Sequence, residues 1–259
     1  MRFGISSTIV KDRCIWELLN RLKSDEIRFL EIRCEKIHLD YENKNVLKEI
    51  FSFVKEKNIK IISVHPPDWI DIGSENEHLR MKSVREAQKC ILVAYHLGAE
   101  KIVLHPSNSN DGMEKIFKSL KEIKEFAEEW GKKVIIENTM PGKKGGELKE
   151  LLEISDNFKL RICFDTSHYF SKNKDIEDIE IIKEIIDELH ISDSLMDGND
   201  NHLFPGEGRI EWGKLFRKIP ISDKDVIIEI MPSQDIEREI EKINIFKEKV
   251  LDGLYSEKI

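Results

Sequence analysis

The sequence has few cysteines and no long hydrophobic run. Its four cysteines, Cys14, Cys34, Cys90 and Cys163, form no C-x-x-C pair, and their apolar or helical surroundings predict buried, reduced thiols rather than a disulfide framework. No stretch approaches the roughly 18 apolar residues that a membrane span needs, and residues 1–10 lack the features of a signal peptide. We therefore expect a cytoplasmic location and no membrane partner.

The chain also lacks an excess of positive charge. Its 42 lysines and arginines are outnumbered by 50 aspartates and glutamates, which gives a net charge of −8. No overall positive field therefore exists to hold nucleic acid through its phosphates, and any DNA binding must be local. Hydrophobic residues make up 40% of the 259 residues, which excludes a disordered chain. No segment indicates a protein partner.

No linker rich in proline, glycine or serine divides the chain. Short β-branched runs instead alternate with amphipathic segments, and we count eight such units. The predicted strands cover residues 2–6, 28–32, 60–64, 101–104, 133–136, 160–164, 188–191 and 225–230. This pattern predicts one α/β domain over residues 1–259, a (β/α)8 TIM barrel. An open doubly wound sheet is the alternative, although no G-x-G-x-x-G motif follows the first strand.

Potential metal ligands lie at the ends of six predicted strands or in the loops that follow them. These nine side chains are His65, His105, Glu137, Asp165, His168, His190, Asp200, His202 and Glu229. The carboxyl ends of the strands in a βα barrel meet at one rim, where such folds place their active sites. One such residue alone is more often a hydrogen-bonded rim residue than a ligand. Nine together favour a bound cation, because clustered carboxylates would otherwise repel one another.

The mixture of nitrogen and oxygen ligands indicates which metal the site prefers. Imidazole and carboxylate without thiolate suit Zn²⁺, or Mn²⁺ as an alternative, better than an iron–sulfur cluster, Cu(I) or Mg²⁺. We expect Cys163 to pack in the core rather than to bind metal. The remaining histidines, His38, His78 and His96, are not at strand ends, and we assign them no chemistry.

The order of these residues resembles the ligand pattern of a known superfamily. The segments SVHPP, VLHPS, IIENT, CFDTSH, LHISDS, NDNH followed by GEG, and VIIEIMP occur in that order. They resemble the metal-binding motifs of endonuclease IV (AP endonuclease family 2), which is grouped with the xylose-isomerase-like sugar isomerases and epimerases. The likeness covers residues 60–232.

The resemblance to endonuclease IV implies up to three zinc ions and phosphodiester hydrolysis at abasic sites in duplex DNA. The first ion would be held by His65, His105 and Glu137. The second would share Glu137 and be held also by Asp165, His190 and Glu229. The third would be held by His168, Asp200 and His202.

The sugar isomerases and epimerases of the same superfamily imply a different reaction. They need one metal and the central set, here Glu137, Asp165, His190 and Glu229, in which the two glutamates also act as catalytic residues that move protons of a small sugar or sugar phosphate. The segments FGISSTIV, RFLEIRCE and GRIEW resemble this branch. The five ligands outside the central set would then have no purpose, so the ligand count favours the hydrolase. A binding protein that has lost activity is the third possibility.

Two groups of residues are candidates for contact with substrate. In HPPDWIDI, Trp69 and Ile70 resemble the loop of endonuclease IV that enters an abasic gap, although such a loop could equally pack on its own barrel. The basic residues predicted on the metal rim are Arg33, Lys143, Lys144 and Arg209. They could contact phosphates, or they could form an ordinary solvated rim.

Overall fold

Eight parallel strands form a closed barrel in a computed structural model that describes residues 1–23, 25–108, 110, 112–172 and 176–251. The strands are β1 (Arg2–Ser6), β2 (Phe29–Arg33), β3 (Lys60–His65), β4 (Lys101–Leu104), β5 (Lys133–Glu137), β6 (Arg161–Asp165), β7 (Ile186–Ile191) and β8 (Asp225–Ile228). Each strand pairs with its neighbours in sequence, and β8 pairs with β1. The predicted TIM barrel is confirmed, and the open sheet is excluded.

The described residues form eight α-helices around the barrel. They are α1 (Trp16–Leu19), α2 (Lys44–Glu56), α3 (Glu77–Leu97), α4 (Met113–Glu129), α5 (Leu148–Phe158), α6 (Thr166–Phe170), α7 (Trp212–Lys218) and α8 (Ile236–Leu251). The long helix α3 illustrates how the sequence sets their limits, because the Asn76 side chain caps its first turn and Gly98 follows its end with a φ of 72°. No helix among the described residues is long and apolar enough to cross a membrane.

The segment before β7 is not a regular α-helix. Ile179, Ile182 and Ile185 instead lie in or beside two short 3-10 helices, Glu177–Ile181 and Lys183–Ile185. Side chains three residues apart are stacked above one another in a 3-10 helix. The spacing of three therefore keeps the isoleucines on one face of these 3-10 turns, which lead directly into β7.

The side chains inside the barrel alternate with those that pack against the helices. Cys163 lies in the interior, where it packs with Val103 and Ile135, and the alternation of β6 places Asp165 on the same side. Cys163 therefore packs in the core as expected, and its Sγ also lies within 4.8 Å of potential ligand atoms of Glu137 and His190. Three of the four cysteines are buried, but Cys14 is exposed, so the expectation of four buried thiols is wrong at that position.

Candidate metal centre

The rim at the carboxyl ends of the strands brings the nine predicted ligands together. Their potential ligand atoms form three groups, in each of which all the atoms lie within 4.8 Å of one another. The groups are His65, His105 and Glu137; Glu137, Asp165, His190 and Glu229; and Asp165, His168 and His202. Asp200 lies beside the third group, with oxygens 3.4 Å from Nε2 of His168 and 3.0 Å from Nε2 of His202.

Local structure explains why Asp165 and His168 meet. β6 ends at Asp165, whose side chain caps α6 by accepting a hydrogen bond of 2.6 Å from the backbone N–H of His168. Residues three apart on a helix lie on the same side, so this cap directs both side chains toward the rim. His202 reaches the same place from the loop after β7, where its backbone N–H donates to Ser167 Oγ at 3.1 Å.

Glu137 connects the first two groups through its two carboxylate oxygens. Its Oε2 lies 3.0 Å from Nε2 of His65 and 3.1 Å from Nε2 of His105. Its Oε1 lies 3.2 Å from Nδ1 of His190. The carboxylate is fully buried. A carboxylate with its oxygens directed at two separate sets of nitrogens has the arrangement of a bridging ligand.

Backbone carbonyls fix the tautomers of three histidines. Nδ1 of His65, His168 and His202 lies 2.8, 2.9 and 3.0 Å from the carbonyl oxygens of Pro66, Asn138 and Glu229, respectively. A carbonyl oxygen can only accept, so each Nδ1 carries a proton and the neutral ring presents the Nε2 lone pair to the centre. Histidine ligands of metal ions are oriented in this way.

The remaining donors also fit a metal ion. Oδ2 of Asp165 is buried and has no hydrogen-bond partner among the described residues. Nε2 of His105 lies near Glu137 without hydrogen-bonding geometry. Nε2 of His168 and Nε2 of His202 are 3.4 Å apart. A cation between these atoms would accept their lone pairs, and imidazole with carboxylate is a donor set that Zn²⁺ or Mn²⁺ accepts.

The pKa values of the histidines divide the centre into two halves. Burial and the nearby Arg33 lower the pKa of His65, and burial lowers the pKa of His105. Burial opposes the charge of His168 and His202 as well, but Asp165 and Asp200 outweigh it and raise their pKa values to about 9 and about 10. Protons therefore neutralise the carboxylates of the third group when no cation does.

Arg33 lines a cavity that opens beside the metal ligands, and it is already paired with two carboxylates. It is buried, and its guanidinium binds Oε1 of Glu229 at 3.1 Å and the carboxylate of Asp68. Thr8 donates to the same Glu229 oxygen at 3.0 Å. Arg33 therefore fixes a predicted metal ligand. The cavity has a volume of about 240 Å³, and Lys11 and Lys143 are the other cations that line it.

Four of the residues predicted to contact substrate or to lie on the rim are not among the described residues that line the cavity. Ile70 is 5% exposed and packs in the hydrophobic core, because the chain turns inward after Trp69. Arg209 is exposed and is not among the described residues that line the cavity. Lys144 pairs with Glu150 at 2.6 Å. Trp69 is 38% exposed, with the Lys82 ammonium 4.4 Å from its ring centre.

Two buried carboxylates beneath the centre, Glu31 on β2 and Glu188 on β7, were not predicted from the sequence. Both lie next to His190. A signal for them exists in the sequence, because each precedes a rim residue by two positions, Arg33 and His190, and alternate residues of a strand share one side.

Comparisons with known proteins agree with this fold. A family model described as the xylose isomerase-like TIM barrel matches residues 19–245. An uncharacterized protein of Methanocaldococcus jannaschii is 27% identical over 264 residues, which cover 96% of this chain and 89% of that protein. A probable endonuclease 4 of Aquifex aeolicus is 30% identical over 176 residues, which cover 58% of this chain and 62% of that protein.

Two solved structures place the fold beside two different enzyme types. A D-tagatose 3-epimerase-like protein matches with a TM-score of 0.79 and 27% identity over 96% of this chain and 100% of that chain. Endonuclease IV from Thermus thermophilus matches with a TM-score of 0.73 and 17% identity over 97% of this chain and 100% of that chain. The second likeness concerns the fold alone.

Proposed function

The chain belongs to the xylose isomerase-like TIM barrel family, and we propose that within it this protein is a zinc-dependent phosphodiester hydrolase that acts at abasic sites in DNA. Relatives in the family include a probable endonuclease 4 and a D-tagatose 3-epimerase-like protein. The observation that carries the proposal is the presence of ligand groups on both sides of the central set. A single-metal isomerase has no use for them.

The two outer groups are organised as ligands. In the first, Nε2 of His65 and Nε2 of His105 meet the same oxygen of Glu137. In the third, Nε2 of His168 and Nε2 of His202 converge beside Asp200. Backbone carbonyls hold three of these rings as the tautomer that presents Nε2. Residues with a merely structural role on the rim would not need this common orientation.

The side chains of the rim have distinct tasks in this reaction. Divalent cations held by the three groups would supply a nucleophile at neutral pH and stabilise the charge that develops on the phosphodiester. Glu137 would hold two of the groups at a fixed separation through its two oxygens. Arg33 and Thr8 would hold Glu229 in place from its outer oxygen. Lys143 and Lys11, which pairs with Asp68 at 3.0 Å, line the cavity, where they would attract a phosphate despite the negative net charge.

Epimerisation of a small sugar is the second candidate, because one observation favours it. Ile70 is buried in the core, so the pair of apolar side chains expected to enter an abasic gap is reduced to Trp69. In this reaction Glu137 and Glu229, whose oxygens lie 3.2 and 2.7 Å from His190 Nδ1, would exchange protons with the substrate.

Incision of a duplex that contains one abasic site tests the proposal. We expect cleavage by the zinc-loaded protein, and we expect the double variant Asp200→Ala, His202→Ala to lose about 100-fold or more of that rate. The double variant Asp197→Ala, Asn199→Ala changes two exposed residues of the same loop and serves as the matched control, which should cleave normally.

The epimerase alternative is tested with the same proteins. A wild-type protein that leaves abasic DNA intact but interconverts a ketose with its epimer, with this activity kept by the Asp200→Ala, His202→Ala variant, would contradict the hydrolase proposal.

A further inference from the structure

His190 uses its two ring nitrogens in different surroundings. Its Nδ1 faces the candidate metal centre, 3.2 Å from Glu137 Oε1 and 2.7 Å from Glu229 Oε2. Its Nε2 faces the barrel interior, 3.2 Å from Glu31 Oε2 and 3.3 Å from Glu188 Oε1. The ring and the two interior carboxylates are fully buried.

This orientation is the reverse of that of His65, His168 and His202, which present Nε2 and bond through Nδ1. A carboxylate oxygen accepts hydrogen bonds, so Nε2 of His190 must carry the proton if Glu31 or Glu188 is ionised. The Nδ1 lone pair is then the one directed at the centre. Glu31 and Glu188 thus accept the hydrogen bond from the ring N–H of His190, as backbone carbonyls do for the other three rings.

The interior carboxylates are themselves held in place. Ser63 Oγ lies 3.2 Å from Glu31 Oε2 and 3.0 Å from Glu188 Oε1, so its one proton is shared between them. The ammonium of Lys101, which is 1% exposed, lies 3.0 Å from Glu188 Oε2. Lys101 also binds Asp225 at 2.7 Å. A buried cation therefore already compensates the charge of Glu188, as burial requires.

We propose that Glu31 and Glu188 are positioning residues that hold His190 in the Nε2–H tautomer, orient its Nδ1 and strengthen it as a metal ligand. The inference rests on the proposed metal centre. An anionic acceptor draws the Nε2 proton toward itself and makes Nδ1 more basic, and loss of such a partner typically weakens metal binding about 10- to 100-fold. Because Oε1 of Glu31 has no hydrogen-bond partner among the described residues, a small cation bound there is the alternative.

The zinc affinity of variants in which an uncharged amide replaces each interior carboxylate tests the proposal. In competition with a chromogenic chelator, we expect Glu31→Gln and Glu188→Gln each to raise the dissociation constant of the central zinc about tenfold, and the double variant about 100-fold. Asp225→Asn is the matched control, because Asp225 is also buried and bound to Lys101 but does not touch His190. It should bind zinc as the wild type does.

A second measurement needs no variant. Nitrogen-15 NMR of histidine-labelled, zinc-loaded wild type should show His190 protonated at Nε2, whereas a proton on Nδ1 would overturn the proposal. Unchanged zinc affinity in the folded Glu31→Gln, Glu188→Gln variant would also overturn the proposal. The proposal would likewise be overturned if this variant bound one metal ion fewer than the wild type instead of binding zinc more weakly. Wild-type protein that binds no zinc would instead contradict the proposed function.

Discussion

Asp193 ties together the loop that carries Asp200 and His202. It is fully buried at the start of this loop, directly after β7. Its carboxylate accepts four hydrogen bonds of 2.9, 3.0, 2.7 and 3.1 Å, from the backbone N–H groups of Ser194, Ile210 and Gly206 and from Nε1 of Trp212. The two ends of the loop are therefore held by one side chain, and we expect the third ligand group to depend on it.

The substitution Asp193→Asn tests this dependence with little change in volume. The amide nitrogen that replaces one oxygen would be directed at two N–H donors, so two of the four hydrogen bonds are lost. Bonds to a charged acceptor contribute about 1.5–3 kcal/mol each, and breaking a buried network of this kind costs about 3–5 kcal/mol. We expect that decrease in the free energy of unfolding, measured by urea denaturation, together with loss of the zinc held by His168 and His202.

Asp197→Asn is the control for this experiment, because Asp197 is an exposed aspartate in the same loop. It should unfold at the wild-type urea concentration and keep its zinc. If Asp193→Asn also unfolds with the wild-type free energy, the hydrogen bonds of Asp193 do not stabilise the loop and the reasoning is wrong.

Three further predictions follow from burial and from the pKa values. Ile70→Ala should lower the free energy of unfolding by about 2–5 kcal/mol, as a core truncation does. Trp69→Ala should lower it by about 1 kcal/mol and should reduce incision of abasic DNA. If both variants lose the same stability in urea and incision is unchanged, a substrate contact by Trp69 is excluded. Zinc binding at pH 7 should release protons from His168 and His202, whose pKa values are about 9 and about 10 without metal, and calorimetric heats that do not vary with the buffer would contradict this. The pKa values of His168 and His202 in the folded protein lie above the unfolded value of 6.5. Protonation of these two histidines therefore stabilises the metal-free protein fully below pH 6.5, and this stabilisation is lost as the pH rises through 9 to 10.

The barrel could be predicted because most strands are short β-branched runs separated by amphipathic segments, although no glycine or proline marks the joint before β7. β1 and β4 begin and end where the sequence predicts, at Arg2–Ser6 and Lys101–Leu104. The meeting of the nine rim side chains follows from the same pattern, since parallel strands in a closed barrel must bring their carboxyl ends to one rim. These side chains are far apart in sequence and close in space because of the barrel topology, and the topology can be predicted from the local pattern of strands and helices.

The surroundings of the rim could not be predicted in the same way. Arg209 and Ile70 lie in loops, where the sequence does not determine the direction of a side chain. Glu31 and Glu188 are charged residues inside strands, and such residues are almost never fully buried unless paired. Lys101 reaches Glu188 from a distant strand, so the neighbouring sequence does not show the cation that compensates this carboxylate, and only the positions two residues before Arg33 and His190 mark the pair.

The number of zinc ions bound per chain tests the central claim most directly. Elemental analysis of zinc-loaded protein after gel filtration should give about three ions per chain for the wild type and about two for the Asp200→Ala, His202→Ala variant, because that variant removes two donors from the third group and leaves the other two intact. A ratio near one in both proteins, unchanged when more zinc is added, would contradict the multinuclear centre and favour the single-metal isomerase.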